Sequence, residues 1–137
     1  VRLAPARKTM KRITGAIDAG LVRACHDLSE GGLAVAAAEM AFSGGLGLDA
    51  WLSNIPRTRS VQRDDFALFS ESNSRFLVEV PEKMKKRFEA VMGRAVCSLV
   101  GRVKKEKSLS VYGLDRAQVV EASLSDLLHA WKRPFGG

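Results

Sequence analysis

The run from position 32 to 43, Gly-Leu-Ala-Val-Ala-Ala-Ala-Glu-Met-Ala-Phe-Ser, carries a single charge, Glu39. Its residues are mostly strong helix formers, and a helix that is apolar nearly all round is buried on more than one side. Ala34, Ala36, Ala37, Ala38 and Ala41 are small enough to let a sheet approach closely. The segment therefore predicts a helix sandwiched between a sheet and another surface, ended by Gly44-Gly45. The rest of the chain must supply both surfaces.

Leading into this helix is a short apolar run, residues 21–26, which predicts a central strand, and then the loop Asp27-Leu28-Ser29-Glu30-Gly31-Gly32. Asp27 or Ser29 can cap the helix, while Gly31 and Gly32 can take positive φ and let backbone N–H groups come close to a ligand. A helix N-terminus reached in this way attracts phosphate or carboxylate. The same pattern also describes an ordinary capped helix whose glycines serve only the turn. His26 reads as a hydrogen-bonded structural residue, and its surroundings have no metal-ligand spacing.

A second polar cluster, Ser70-Glu71-Ser72-Asn73-Ser74, follows a short helical turn or apolar plug at 66–69 and precedes a strand over 75–80 that Pro81 stops. Such a cluster reads either as a Ser/Asn-rich turn or as a set of ligand-binding groups. Both this turn and the 27–32 loop sit at strand ends. If their strands are antiparallel neighbours the two segments meet, and Glu71 could then accept from ligand hydroxyls or a bound cation.

The remaining pattern supplies cover and sheet. Residues 1–7 read as a linker and 8–19 as a helix with Met10, Ile13, Ala16 and Ile17 inward, stopped by Gly20. Residues 46–52 read as a strand and 53–65 as a loop, and 81–92 form a basic amphipathic helix with Met84, Phe88, Val91 and Met92 inward. Strand-like runs follow at 95–104, 108–113 and 118–122, the last two joined as a hairpin. A final helix opens at Ser123 and runs to about 132. Hairpins rather than strand–helix–strand crossovers dominate the second half, which predicts an α+β fold, a mixed and largely antiparallel sheet covered by helices. The 137 residues suit one domain, 1–137, folded over 8–135.

Composition narrows the function classes. The net charge of +7 favours anionic partners, but the basic residues are scattered and form no recognisable nucleic-acid module. No run approaches the roughly 20 apolar residues that span a bilayer, and no signal-peptide pattern is visible. Cys25 and Cys97 lie in apolar runs without CxxC spacing and read as reduced, buried thiols, so a cytoplasmic protein is expected. No phosphate-binding loop, dinucleotide fingerprint or nucleophile triad is encoded, so the chain alone is not expected to catalyse a reaction.

The runs HDLSEGGLAVAAAEMA (26–41), GGLG (44–47), LFSESNSRFLVEV (68–80) and LLHAWKRPF (127–135) together resemble the C-terminal domain of the phosphoribosylformylglycinamidine synthase II family. That family belongs with aminoimidazole ribonucleotide synthetase, selenophosphate synthetase and thiamine-monophosphate kinase in one ATP-using superfamily. The HDxSxGG element is shared across several of these enzymes, whereas SESNSRF and LLHAWKRPF narrow the resemblance to the synthase.

The resemblance implies an ATP-dependent C–N ligase of purine biosynthesis. It converts formylglycinamide ribonucleotide to formylglycinamidine ribonucleotide, with ammonia from a glutaminase subunit or domain. ATP and magnesium are implied for the full enzyme, with the catalytic His and the magnesium-binding acidic residues on preceding domains, so none is carried onto this chain. It implies a substrate- or nucleotide-binding half-site of Asp27, Ser29, Gly31, Gly32, Ser70, Glu71, Ser72 and Asn73. Upstream ATP-binding domains, the glutaminase and a ribonucleotide are the implied partners. The alternatives are a non-catalytic anion-binding or assembly domain and a domain of a sibling such as selenophosphate synthetase.

Overall fold

The computed structural model describes residues 3–93 and 97–135. Residues 1–2 of the expected linker, 95–96 of the strand expected at 95–104, and the last two glycines lie outside the described residues.

The first helix, α1 (Leu3–Asp18), takes in most of the segment expected as a linker. Pro5 falls in its first turn, where the missing N–H would have had no intrahelical partner. Its end is the expected one. Gly20 takes φ +68°, its N–H bonds the Ile17 carbonyl at 2.9 Å, and the Leu21 N–H reaches the Ala16 carbonyl at 3.0 Å, which is a Schellman stop. Ile13 and Ala16 are buried as expected, but Met10 and Ile17 are about half exposed. The helix packs on α4 (Lys85–Met92), whose Phe88 and Met92 are buried with Ile13, Ala16 and Leu21 while Val91 is not. The Arg12 guanidinium donates to the Met92 carbonyl, placing a cation at the negative end of α4.

The strands form two sheets rather than one. β1 (Ala24–Asp27) and β3 (Phe76–Glu79) make an antiparallel pair of their own, with Asp27 opposite Phe76 and Ala24 opposite Glu79. The strand expected to be central therefore is not. Its residues alternate between half-buried and exposed, as befits a strand covered on one face. Cys25 falls on an exposed position, correcting its expected burial, and both cysteines are free thiols.

The second sheet has the order β4-β2-β5-β6, from β2 (Gly47–Trp51), β4 (Gly101–Lys104), β5 (Ser108–Tyr112) and β6 (Gln118–Ser123). Its β2–β5 contact is parallel and the other two are antiparallel, so the α+β reading with a mixed, largely antiparallel arrangement holds. Across the parallel register Trp51 stacks on Tyr112. From β4 the Lys104 ammonium donates to Asp49 of β2 at 2.6 Å and to the buried Ser110 hydroxyl of β5 at 2.8 Å.

The nearly uncharged run forms α2 (Gly32–Gly44). Leu33, Ala36 and Ala37 are buried in one cluster with Ala50, Leu109 and Val111 of the four-stranded sheet and with Leu28, Leu52, Ile55, Ala67 and Leu68. The helix also meets the β1–β3 pair, α3 (Asp64–Phe69) and α5 (Leu124–Lys132). It is enclosed on several sides, which is why one charge is all it carries. The expected 53–65 loop is trimmed at both ends, by a 3₁₀ turn at Leu52–Asn54 and by α3. Asp64 at the start of α3 accepts the Leu114 N–H at 2.7 Å, tying the loop's exit to the β5–β6 hairpin.

Candidate functional site

The antiparallel β1–β3 register decides where the two polar segments go. Asp27 ends β1 directly opposite Phe76, which begins β3, so the chain leaving one strand lies beside the chain entering the other. Beyond the last strand pair the Leu28 N–H bonds the Arg75 carbonyl at 2.9 Å. The 27–32 loop and the 70–73 turn are thus brought together, as their placement at strand ends predicted.

Two contacts join them. The Gly31 N–H donates to Glu71 Oε1 at 2.9 Å. Gly32 is buried against the turn: a Cβ on it would stand 2.7 Å from the Leu68 carbonyl oxygen and 2.9 Å from that of Ser70. Both glycines have left-handed φ, +74° and +61°. Both are required here by angle and by space, since a Cβ on Gly31 would run into the Val35 side chain of the next turn and one on Gly32 into the backbone of the opposite segment. The turn itself closes through Ser74, a non-glycine residue at φ +64°.

Neither Asp27 nor Ser29 caps α2. The N-cap is Gly31, and no side chain of its own neighbourhood bonds the first turn. The carboxylate beside the helix N-terminus comes instead from Glu71, where a negative charge is favoured. Ser29 contributes its carbonyl, which accepts the Gly32 N–H at 3.1 Å. Both amides expected to face an anion are therefore engaged within the protein. Ser29, Ser72 and Asn73 are exposed, and among the described residues no hydrogen bond joins Ser29 or Asn73 to the opposite segment. Asp27 is exposed at the edge of the loop, and its carbonyl is 2.7 Å from His26 Nδ1.

The 27–32 loop is braced from behind by His26. Its Nε2 lies 2.7 Å from Glu39 Oε2, the one charge of α2. Oxygen acceptors at both ring nitrogens suit the imidazolium, which donates from both. The hydrogen bond to the Asp27 carbonyl, followed by the bond and charge of Glu39, raises the His26 pKa against the opposing effect of burial. Glu39 Oε1 in turn accepts from Trp131 Nε1 at 2.8 Å, and Trp131 packs on Phe42 at a 54° tilt. One chain of contacts thus links β1, α2 and α5.

Two features beside the turn were not singled out by the sequence pattern. Phe66 and Phe69 of α3 are more than half exposed, with the Arg63 guanidinium 4.9 Å over the Phe66 ring, and they line a shallow depression with Asp65 and Ser70. Arg75, read only as the first residue of a strand, turns its guanidinium back onto the turn. It donates to the Ser70 carbonyl at 3.2 Å, the Ser70 hydroxyl at 2.8 Å and the Ser72 hydroxyl at 3.3 Å. A cation immediately after a run of hydroxyl side chains was the available signal.

Among the described residues no cluster of three or more His, Cys, Asp or Glu could hold a metal ion, and no helix is long and apolar enough to cross a membrane. The half-site offers hydroxyls, the carboxylates of Asp27 and Glu71 and the Arg75 guanidinium, groups that can hydrogen-bond a polar ligand.

Solved structures share this architecture. Thermotoga maritima PurL complexed with FGAR superposes over 89% of this chain and 20% of its own, with TM-score 0.79 and 22% identity. The same enzyme complexed with ATP gives 88% and 21% coverage, TM-score 0.79 and 23% identity. Escherichia coli HypE, a hydrogenase maturation protein, gives 80% and 38% coverage, TM-score 0.68 and 20% identity. The chain therefore spans about a fifth of the length of PurL. The family described as AIR synthase related protein, C-terminal domain, matches residues 1–113. With that match over most of its length, the chain belongs to the AIR synthase related protein C-terminal domain family.

Proposed function

We propose that this chain is the C-terminal domain of a phosphoribosylformylglycinamidine synthase, the ATP-dependent ligase that makes formylglycinamidine ribonucleotide from formylglycinamide ribonucleotide and glutamine-derived ammonia. In this reading the chain supplies one wall of a substrate or nucleotide cleft. Asp27, Ser29, Gly31, Gly32, Ser70, Glu71, Ser72 and Asn73 line that wall, and domains upstream of it supply the catalytic residues. ATP and magnesium serve the whole enzyme, which works in the cytoplasm with a glutaminase subunit or domain. The chain alone is inactive.

The observation that carries this reading is the meeting of the two polar segments, with Gly32 pressed against the carbonyls of Leu68 and Ser70. A plain hairpin or helix cap has no need of such a crossing. The ligands of the T. maritima PurL complexes, FGAR and ATP, support a ribonucleotide or a nucleotide as the occupant. The SESNSRF and LLHAWKRPF motifs favour the synthase over its siblings.

The test is a titration of the ¹⁵N-labelled chain with formylglycinamide ribonucleotide and, separately, with ATP. Saturable amide shifts within 27–32 and 70–75 are expected from at least one of them. Shifts confined to the basic α4 surface, or none with either ligand, would overturn the reading.

A further inference from the structure

An anion entering this site cannot rely on the amides that the glycine loop was expected to offer. The Gly31 N–H is held by Glu71 and the Gly32 N–H by the Ser29 carbonyl. The nearest carboxylate repels an anion. A positive group must therefore do the attracting, and the structure places one at the crossing.

Arg75 is half-buried, and all three of its side-chain hydrogen bonds leave from Nη1 and end on uncharged oxygens of Ser70 and Ser72. Among the described residues it forms no ion pair, although other arginines here do, with Glu79, Asp65 and Glu82. Burial holds its pKa below the usual arginine range, and no nearby carboxylate offsets that effect. A guanidinium taken partly out of water normally has a counter-charge, because burying an unpaired charge is costly. Arg75 is anchored on one edge, and its Nε and Nη2 hydrogens have no partner among the described residues.

Its location ties it to both segments. The Arg75 carbonyl accepts from Leu28, at the start of the loop. The Ser70 carbonyl that takes its Nη1 hydrogen is the same oxygen that Gly32 approaches without a Cβ. A fork of donors on a planar cation matches phosphate and carboxylate oxygens in pairs.

We propose that Arg75 is the residue that recognises the ligand's oxyanion in this site, through Nε and Nη2, while Nη1 stays fastened to Ser70 and Ser72. The inference deepens the cleft reading given above and rests on it. The ligand group is a phosphoryl or a carboxylate, and the test separates the two.

The ¹⁵N-labelled chain is titrated with inorganic phosphate and with acetate, at constant ionic strength, for the wild type and for Arg75→Gln, Arg75→Lys and Arg23→Gln. Arg23→Gln removes the same charge from the far end of the β1–β3 pair, where the side chain is exposed and meets Glu79. Saturable shifts within 27–32 and 70–75 are expected in the wild type. At least a tenfold weaker affinity is expected in Arg75→Gln, partial recovery in Arg75→Lys, and no change in Arg23→Gln. Stronger binding of phosphate than acetate assigns a phosphoryl group, and the reverse a carboxylate. The Leu28 and Phe76 amides report whether each variant keeps the strand register; if Arg75→Gln loses it, Arg75→Lys decides alone, by weaker binding than wild type.

Equal affinity in wild type and both Arg75 variants would overturn the role of Arg75 while leaving the cleft in place. Equal weakening by Arg23→Gln would overturn it in favour of a net-charge effect. An absence of wild-type shifts with phosphate and acetate would also overturn it. The cleft reading fails separately, by the ribonucleotide titration.

Discussion

The Glu71 carboxylate accepts the Gly31 N–H at 2.9 Å across forty positions of sequence, so the helix that dominates the core is capped from another part of the chain. A cap of this kind contributes stability and also determines what the loop can bind. Replacing Glu71 with Ala is expected to lower stability by about 1 kcal/mol, the usual effect of losing a capping acceptor. Urea unfolding measures it, together with a shift of the Gly31 amide resonance. An unchanged midpoint and an unmoved Gly31 signal would show that the bond is not formed in solution.

Two glycines in helices should respond to alanine in opposite directions. At Gly32 the left-handed φ and three backbone atoms within 3 Å of the new Cβ act together, and Gly32→Ala is expected to cost about 3 kcal/mol from the backbone penalty plus overpacking. At Gly15, inside α1, a Cβ meets nothing within 4 Å, and Gly15→Ala is expected to stabilise by roughly 0.5–1 kcal/mol through lower unfolded-chain entropy. Paired thermal melts check both signs.

The pH dependence follows from His26. Its folded pKa lies above the ordinary 6.5, so the folded protein binds the proton more tightly than the unfolded chain does. The stabilisation is fully present below about pH 6.5 and is lost as pH rises through the folded value. Melting temperatures followed between about pH 5 and pH 9 should fall across that window, after buffer effects are matched. Glu39→Gln should flatten the fall and lower the His26 pKa in an NMR titration. A melting temperature that rises across the window would contradict the assignment.

Arg12 closes the C-terminus of α4 from α1 by donating to the Met92 carbonyl. Arg12→Gln is expected to cost roughly 0.5–1 kcal/mol, most of it the cation's interaction with the helix end. The loss should shrink in high salt, where such surface charge is screened. Urea midpoints at low and high ionic strength test both statements.

Several elements were legible in the sequence because their causes act within a few residues. Gly20 and Gly45 end α1 and α2 in left-handed conformations, Ser123 accepts from the Asp126 N–H to open α5, and one charge in the run 32–43 announced an enclosed helix. Even the meeting of the two polar segments could be anticipated, since both lie at the ends of strands that pair. Their contacts could not. Which acceptor takes the Gly31 N–H, how close Leu68 and Ser70 come to Gly32, and where Arg75 turns its guanidinium depend on the β1–β3 register.

The same limit explains the strand reading. A short apolar run such as 21–26 favours a strand locally, but membership of a sheet is settled by neighbours far away in the chain. Here β5 takes the place beside β2, and β1 pairs with β3 alone. What could be read from the chain alone was the presence of most helices, the glycine stops of α1 and α2 and the polar character of the two segments, because helix propensity and C-terminal glycine stops act within a few residues. The tertiary structure alone decided that the anion-seeking amides would be occupied and that a half-buried arginine would stand beside them, because those outcomes depend on which distant groups the fold brings within hydrogen-bond range.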